Sequence, residues 1–422
     1  MLKFCFLTLS LASVVSAAEP RNWTSADGRS VSATFLSLDA KGVTLKMANG
    51  SVAVVPLTRL SKVDQDYAQS VAKLESGLAN ETEITAEKTW PKSVVLEEKP
   101  EVVVVQEDEA KKEFVYRSPH YEFVCDSKLG QNVVREFGRM FEATYTLNCK
   151  LPLDWKPQPE PLRKYFKARL FTNKEDYFAA GGMAGSGGVY ISREKALMVP
   201  LSSLGVKMVG SRVSIEANDD DDNATLIHEI THQMMNHWLR SLPTWFVEGS
   251  AEYCEMLEYN RSGRFSLNNL SNIIQNYTVK QNYGIKAPFK MLDLEELMNI
   301  QPQAWSAALT KDVDVEIAGR KISNVSQARQ NYGSAGLLTF YFYHLDGEGD
   351  AARMLAYLRA IEQVKEQGDT LEKEAAVKNH LLYGRSYAQL AEDVKKGLKR
   401  VGVEVIFDTP GKNGPVSAIQ TE

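Results

Sequence analysis

The pentapeptide His228-Glu229-Ile230-Thr231-His232 constrains this 422-residue chain more than any other stretch. On a helix, side chains four residues apart lie on one face, so His228 and His232 can aim two imidazoles at one metal ion. Glu229 lies about 100° round the axis, near enough to reach a water on that ion without binding it. Two histidine ligands and one base make the pattern of a zinc hydrolase, and a third ligand is still needed. The segment WFVEGSAEY, Trp245 to Tyr253, offers Glu248. Fifteen residues separate His232 from Glu248. That is enough to end one helix, turn at Ser241-Leu242-Pro243 and begin another, because proline is tolerated in a first helical turn. Glu248 and Glu252 then share a face. A solvent-facing helix end would carry the same five letters, but it leaves the acid-bearing second helix unexplained.

HExxH followed by a helix reading E-G-x-A-E-Y resembles the gluzincin metallopeptidases, the thermolysin-like group with a glutamate as third zinc ligand. The resemblance covers about 35 residues at motif level, and the spacing is shorter than in the best-known members. It implies Zn²⁺ as cofactor, His228, His232 and Glu248 as ligands, and Glu229 as general base. It also implies that Glu252 hydrogen-bonds the first histidine from outside the ligand set. The metzincin pattern does not fit, since the positions it needs as Gly and His are Met235 and Trp238. His237 falls on roughly the opposite helix face from His228. Gluzincins commonly supply a tyrosine or histidine from a downstream helix to the oxyanion. Tyr332, at the start of an apolar helix and followed by Gly333-Ser334-Ala335-Gly336, is the candidate here. A core tyrosine is the competing reading, and His344 is a weaker candidate.

Residues 1–18 read as a cleaved signal peptide: one lysine, an apolar run from Phe4 to Val15, then small residues. The expected location is secreted or periplasmic, with no membrane span. Of the remaining cysteines, Cys125 and Cys149 would form either a disulfide or two separate buried thiols, and Cys254 a small core residue. A net charge of −5 gives no nucleic-acid footprint.

Residues 19–72 alternate apolar and polar side chains between Asp27-Gly28, Lys41-Gly42 and Asn49-Gly50, as a small all-β unit does. The pairing of R-x-W-T with V-P-L-x-x-L-S-x-x-D-x-x-Y resembles the first Sla homology domain, an SH3-like small barrel. That resemblance implies a binding role, toward a protein or cell-surface ligand; a passive spacer is the alternative. Residues 73–112 are charged and aperiodic and read as a solvated linker. Residues 113–408 form the expected catalytic region, and 409–422 a loose tail.

Within that region, one strand is expected over Phe114–Cys125, a helix over Leu129–Asn148 and a strand in KYFKARLFT. An edge strand starting at Gly187 is expected to run past the site; in gluzincins such a strand pairs with the substrate backbone. Asp219 to Asp222 precede the HEITH helix, and capping is preferred over calcium binding. Helical periods recur from Leu267 to Val401. The expected class is therefore α+β, a mixed sheet followed by a helical lobe in a zincin-like arrangement, with the small β unit ahead of it. The function so implied is hydrolysis of a peptide or protein substrate. An inactive peptidase-like binding protein and a zinc hydrolase of a non-peptide bond stand as alternatives.

Overall fold

Alternating valines and leucines between glycine turns make residues 21–55 an antiparallel sheet of order β1 (Arg21–Thr24), β2 (Ser30–Asp39), β3 (Gly42–Met47) and β4 (Val52–Val55). In this computed structural model the described residues are 20–69, 72, 89–160, 163–182, 187–209, 212–215, 220–364 and 370–408. The expected signal peptide, residues 1–18, and the expected tail, 409–422, lie outside them, as do residues 73–88 of the expected linker. The chain divides into two compact units, residues 1–85 with 367–384, and 86–366 with 385–422.

The first unit closes around Trp23, which is stacked on Phe35 and edge-on to Tyr67 at 5.6 Å. Tyr67 comes from a helix α1 (62–69). The Arg21 guanidinium lies 3.8 Å over the Tyr67 ring and 2.7 Å from the Asp64 carboxylate. Asp64 is buried and also accepts from the Thr24 amide and the Ser61 hydroxyl. The R-x-W-T and L-S-x-x-D-x-x-Y segments are therefore two halves of one clasp, closed by the buried Asp64 carboxylate, which takes the Arg21 guanidinium, the Thr24 amide and the Ser61 hydroxyl.

The second unit begins where a linker was expected. β5 (Ser93–Val95) pairs with a later strand, and β6 (Val103–Asp108) pairs with β7 (Glu113–Arg117). Trp90 packs on Tyr253, Tyr343 and His344. So the stretch from Trp90 onward is not a tether. Most of its charges lie in the connections around β5 and β6, while strand pairing and the aromatic contacts of Trp90 hold the stretch to the body.

β7 and β8 (Tyr121–Cys125) are two strands rather than one. The chain reverses at Ser118-Pro119-His120, where the buried Glu142 carboxylate accepts from the Ser118 hydroxyl and the His120 amide. Helix α2 (Gln131–Lys150) then crosses to β9 (Phe166–Phe171), which is parallel to β8, as a parallel pair requires. Phe137 and Phe141 of α2 meet Phe123 edge-on. A short α3 (Lys174–Ala179) precedes β10 (Val189–Ile191) and β11 (Ala196–Pro200). The result is a six-stranded mixed sheet, β10-β11-β9-β8-β7-β6, with β10 at one edge.

A hairpin follows, β12 (Val206–Val209) and β13 (Arg212–Ile215), and then α4 (Asp220–Met234) and α5 (Thr244–Met256). β14 (Glu258–Asn260) and β15 (Arg264–Ser266) pair with each other, and β15 with β5. The helical lobe contains α6 (Leu270–Gln281), then β16 (Phe289–Met291), α7 (Leu294–Asn299) and α8 (Pro302–Leu309). An unexpected hairpin, β17 (Asp312–Ile317) and β18 (Arg320–Ser326), comes before α9 (Ala328–His344) and α10 (Ala352–Gln363). α11 (Thr370–Ala376) and a π-helical turn (Val377–Leu382) belong to the first unit. The chain returns with α12 (Tyr387–Arg400) and β19 (Val405–Phe407), which pairs with β16. The class is mixed α+β with an N-terminal antiparallel sheet. No helix among the described residues is long and apolar enough to cross a membrane. Cys125 and Cys149 are separate thiols with no disulfide between them, Cys125 buried and Cys149 half-buried.

These contacts decide where the chain can be cut. A chain beginning at Glu113 loses β5, β6 and Trp90 and should unfold without a sharp transition. One beginning at Ala86 should keep the cooperative transition of the second unit, read by circular dichroism during urea titration. Equal cooperativity in both would show that the strands before Glu113 are dispensable.

Candidate metal centre

α4 carries His228 and His232 one turn apart, and their rings stand 4.8 Å apart at 80°. After α4 the chain turns through 235–242 and α5 starts directly behind Pro243. Proline therefore caps α5 rather than entering its first turn. Trp245 and Phe246 are fully buried and anchor the start of α5, leaving Glu248 to face α4.

One carboxylate oxygen of Glu248 lies 3.4 Å from His228 Nε2 and 3.3 Å from His232 Nε2. The three donor atoms form a cluster able to hold a metal ion, all within 4.8 Å of one another. Glu248 is inside the protein; burial alone would raise its pKa, but the two histidines override it and hold it near 2. The donor set is thus two imidazole nitrogens and one ionised carboxylate.

Glycine sets the distance at which α5 can sit. A Cβ on Gly249 would lie 2.6 Å from the Ala335 carbonyl oxygen of α9 and would also clash with Thr339. A Cβ on Gly336 would strike the Tyr277 hydroxyl and come within 3.2 Å of Glu252 Cβ. Gly249, Ala335 and Gly336 therefore let α5 and α9 approach closely while Glu248 stays toward α4, and Gly333 gives the same room to Phe289 of β16.

Glu229 is placed by the sheet edge. The Tyr190 amide on β10 donates to Glu229 Oε2 at 2.9 Å. The edge strand expected from Gly187 is present, and its outward amide fixes the proposed base. Residues 183–186 of the preceding glycine-rich loop lie outside the described set, as does Asp219. Residues 220–222 open α4.

Glu252 lies near His228 but does not hydrogen-bond it. Its Oε1 is 3.5 Å from His228 Nδ1, while its Oε2 accepts from Tyr277 Oη at 2.5 Å and from Gln281 Nε2 at 3.1 Å. Burial, reinforced by the Glu255 charge, raises its pKa to about 8. Glu255 is the residue that sequence reasoning missed. Its Oε2 lies 3.1 Å from His228 Nδ1, and Lys280 Nζ is 3.6 Å from its other oxygen. The signal was present, since 248, 252 and 255 follow the i, i+4, i+7 spacing of one helix face. Burial would lower the pKa of His228, but hydrogen bonds to Glu248 and Glu255 raise it well above the ordinary value. On His232 the picture differs: its Nδ1 is buried with no partner among the described residues.

Tyr332 reaches the site. Its ring stands 5.9 Å from that of His228 and 5.2 Å from Trp305, edge-on to both. Burial, with the nearby Glu248, Glu252 and Glu229 charges, raises its hydroxyl pKa, so it remains a donor. His344 is elsewhere: its Nε2 pairs with Tyr253 Oη at 2.8 Å under Trp90, and burial lowers its pKa to about 3. His237 is exposed on the turn after α4, and Cys254 is a buried thiol whose pKa burial raises to about 12. Compared with known proteins, the chain matches no family model, and no curated protein matches it.

The close crossing at Gly249 is directly testable. Gly249→Ala should destabilise the chain by about 1–3 kcal/mol, the usual cost of forcing atoms into a packed contact. Chemical denaturation measures this, and wild-type stability would show that α5 and α9 have slack.

Proposed function

We propose that this chain is an exported zinc metallopeptidase of gluzincin type, with His228, His232 and Glu248 holding the metal and Glu229 acting as general base. The observation that carries the reading is the spacing of the donors. Ligands at the usual Zn–N and Zn–O lengths lie roughly 3.3–3.4 Å apart along a tetrahedral edge. The two histidine–Glu248 separations are 3.4 and 3.3 Å. Charge supports it too, because Glu248 and Glu255 stand against His228 as ionised carboxylates and a divalent cation would help balance them.

Bound zinc would polarise a carbonyl and acidify water at the open side of the site. Glu229, held by the Tyr190 amide, takes the proton of the attacking water and passes it to the leaving amine. The Tyr332 hydroxyl donates to the oxyanion as charge develops there. A peptide is favoured over other substrates because β10, which among the described residues pairs with β11 alone, presents a sheet edge beside Glu229 to which an extended chain can add. The N-terminal sheet, read as an SH3-like module, would bind a protein or cell-surface partner. The signal-like residues 1–18 support a secreted or periplasmic location.

Purified full-length protein should carry about one zinc per chain. Glu229→Gln should keep that zinc and abolish hydrolysis of a peptide library, since the residue moves protons and does not ligate. Zinc without any hydrolysis in the wild type would favour a binding protein, and turnover of esters alone a non-peptide hydrolase. Either result would overturn the peptidase reading.

Tyr332→Phe tests the oxyanion donor separately. The kcat should fall by roughly ten-fold or more, with zinc content and Tm nearly unchanged. An unaltered kcat would leave Tyr332 as packing against Trp305.

A further inference from the structure

We propose that Glu255, and not Glu252, is the positioning carboxylate of His228. The inference rests on the zinc reading above. His228 has one nitrogen, Nδ1, left for a partner once Nε2 faces Glu248. Two carboxylates stand near it, and they are not equivalent. Glu255 Oε2 makes a hydrogen bond at 3.1 Å, whereas the closest oxygen of Glu252 stands off at 3.5 Å.

The reason lies in what else each acid touches. Tyr277 and Gln281, one turn apart on α6, both donate to Glu252 Oε2. They draw that carboxylate toward α6, where it ties two helices together. Glu255 is drawn toward His228 on one side and held by Lys280 on the other. Helix geometry agrees. Seven residues after Glu248, Glu255 returns to within roughly 20° of the same line along α5, while Glu252 is about 40° round. The ion pair between Lys280 and Glu255 keeps the carboxylate extended toward the imidazole. With Nδ1–H held by Glu255, the ring can turn neither Nδ1 toward the metal nor Nε2 away from Glu248. A partner of this kind fixes both the tautomer and the ring orientation of a metal-binding histidine.

Glu255 also lines a cleft of about 420 Å³ together with Asn276, Tyr277 and Lys280. Removing its charge therefore changes a cleft wall rather than a packed core. That separates positioning from folding in a way Glu252 does not allow.

The test is a competitive Zn²⁺ titration of the full chain with a chromophoric chelator, alongside thermal melts of the metal-free protein. Glu255→Gln should weaken zinc affinity by about 10- to 100-fold while leaving the metal-free Tm near that of the wild type. Glu255→Asp, which withdraws the carboxylate by one methylene but keeps its charge, should fall between the two. Glu252→Gln should show the opposite profile, a lowered Tm with zinc affinity close to wild type. If Glu252→Gln loses affinity and neither Glu255 variant does, the proposal is overturned and the zinc site stands. If Glu255→Gln fails to fold, the aspartate variant decides, and wild-type affinity there also overturns the proposal. A wild-type chain that binds no zinc fails at an earlier step and removes the metal reading itself.

Discussion

The distance between α5 and α9 governs this site. Gly249 lies against the Ala335 carbonyl, and Gly336 lies against Tyr277 and Glu252. At ordinary side-chain separation, α5 would stand farther from α9 and its glutamates would shift as a group. The small residues put no functional atom into the site. They set the depth at which Glu248 meets the two histidines, and they leave the Tyr277 hydroxyl room to reach Glu252. Close packing of this kind transmits any added methyl group to its neighbours.

The same crossing creates an electrostatic demand. Three glutamates from one helix are brought around one buried imidazole, Glu252 buried with it and Glu248 and Glu255 half-buried. Buried carboxylates must be paired or neutralised. The chain answers each differently: Glu248 by the two histidines, Glu252 by hydrogen bonds from α6, and Glu255 by His228 and Lys280. Glu229, on α4, is held apart from this group by a backbone amide of the sheet edge. A carboxylate anchored by a strand and a donor cluster anchored by helices can hold their mutual geometry only if sheet and helices pack as one unit. The contacts of α2 and α4 with each other and with the sheet provide that packing.

Local periodicity made most of the helices legible. Their apolar faces repeat at 3.6 residues: the helix expected over Leu129–Asn148 is α2, Gln131–Lys150, and α6, α9, α10 and α12 all lie in the stretch from Leu267 to Val401 where helical periods recur. The β17–β18 hairpin was equally legible and was overlooked. Asp312-Val313-Asp314-Val315-Glu316-Ile317 alternates strictly, and Ala318-Gly319 turn with positive φ at both positions. The region from Trp90 to Asp108 misled for a physical reason. Its composition is that of a solvated segment, but edge strands are exposed and charged too, and backbone pairing leaves no mark on composition. The single strand expected over Phe114–Cys125 failed similarly, because the turn at Ser118 depends on Glu142, more than twenty residues away.

What the sequence determined alone is whatever follows from spacing along one helix: His228 with His232, Glu229 beside them, and Glu248 in line with Glu252. Such relations are set by 3.6 residues per turn and need no partner. Tertiary structure decided everything that depends on two elements meeting. It brought Glu248 onto the histidines of α4, placed Tyr332 beside His228, and sent His344 to Tyr253 instead. It also decided between the two remaining acids of α5. Helical spacing makes both Glu252 and Glu255 neighbours of Glu248, and only the donors on α6 draw one aside and leave the other facing His228.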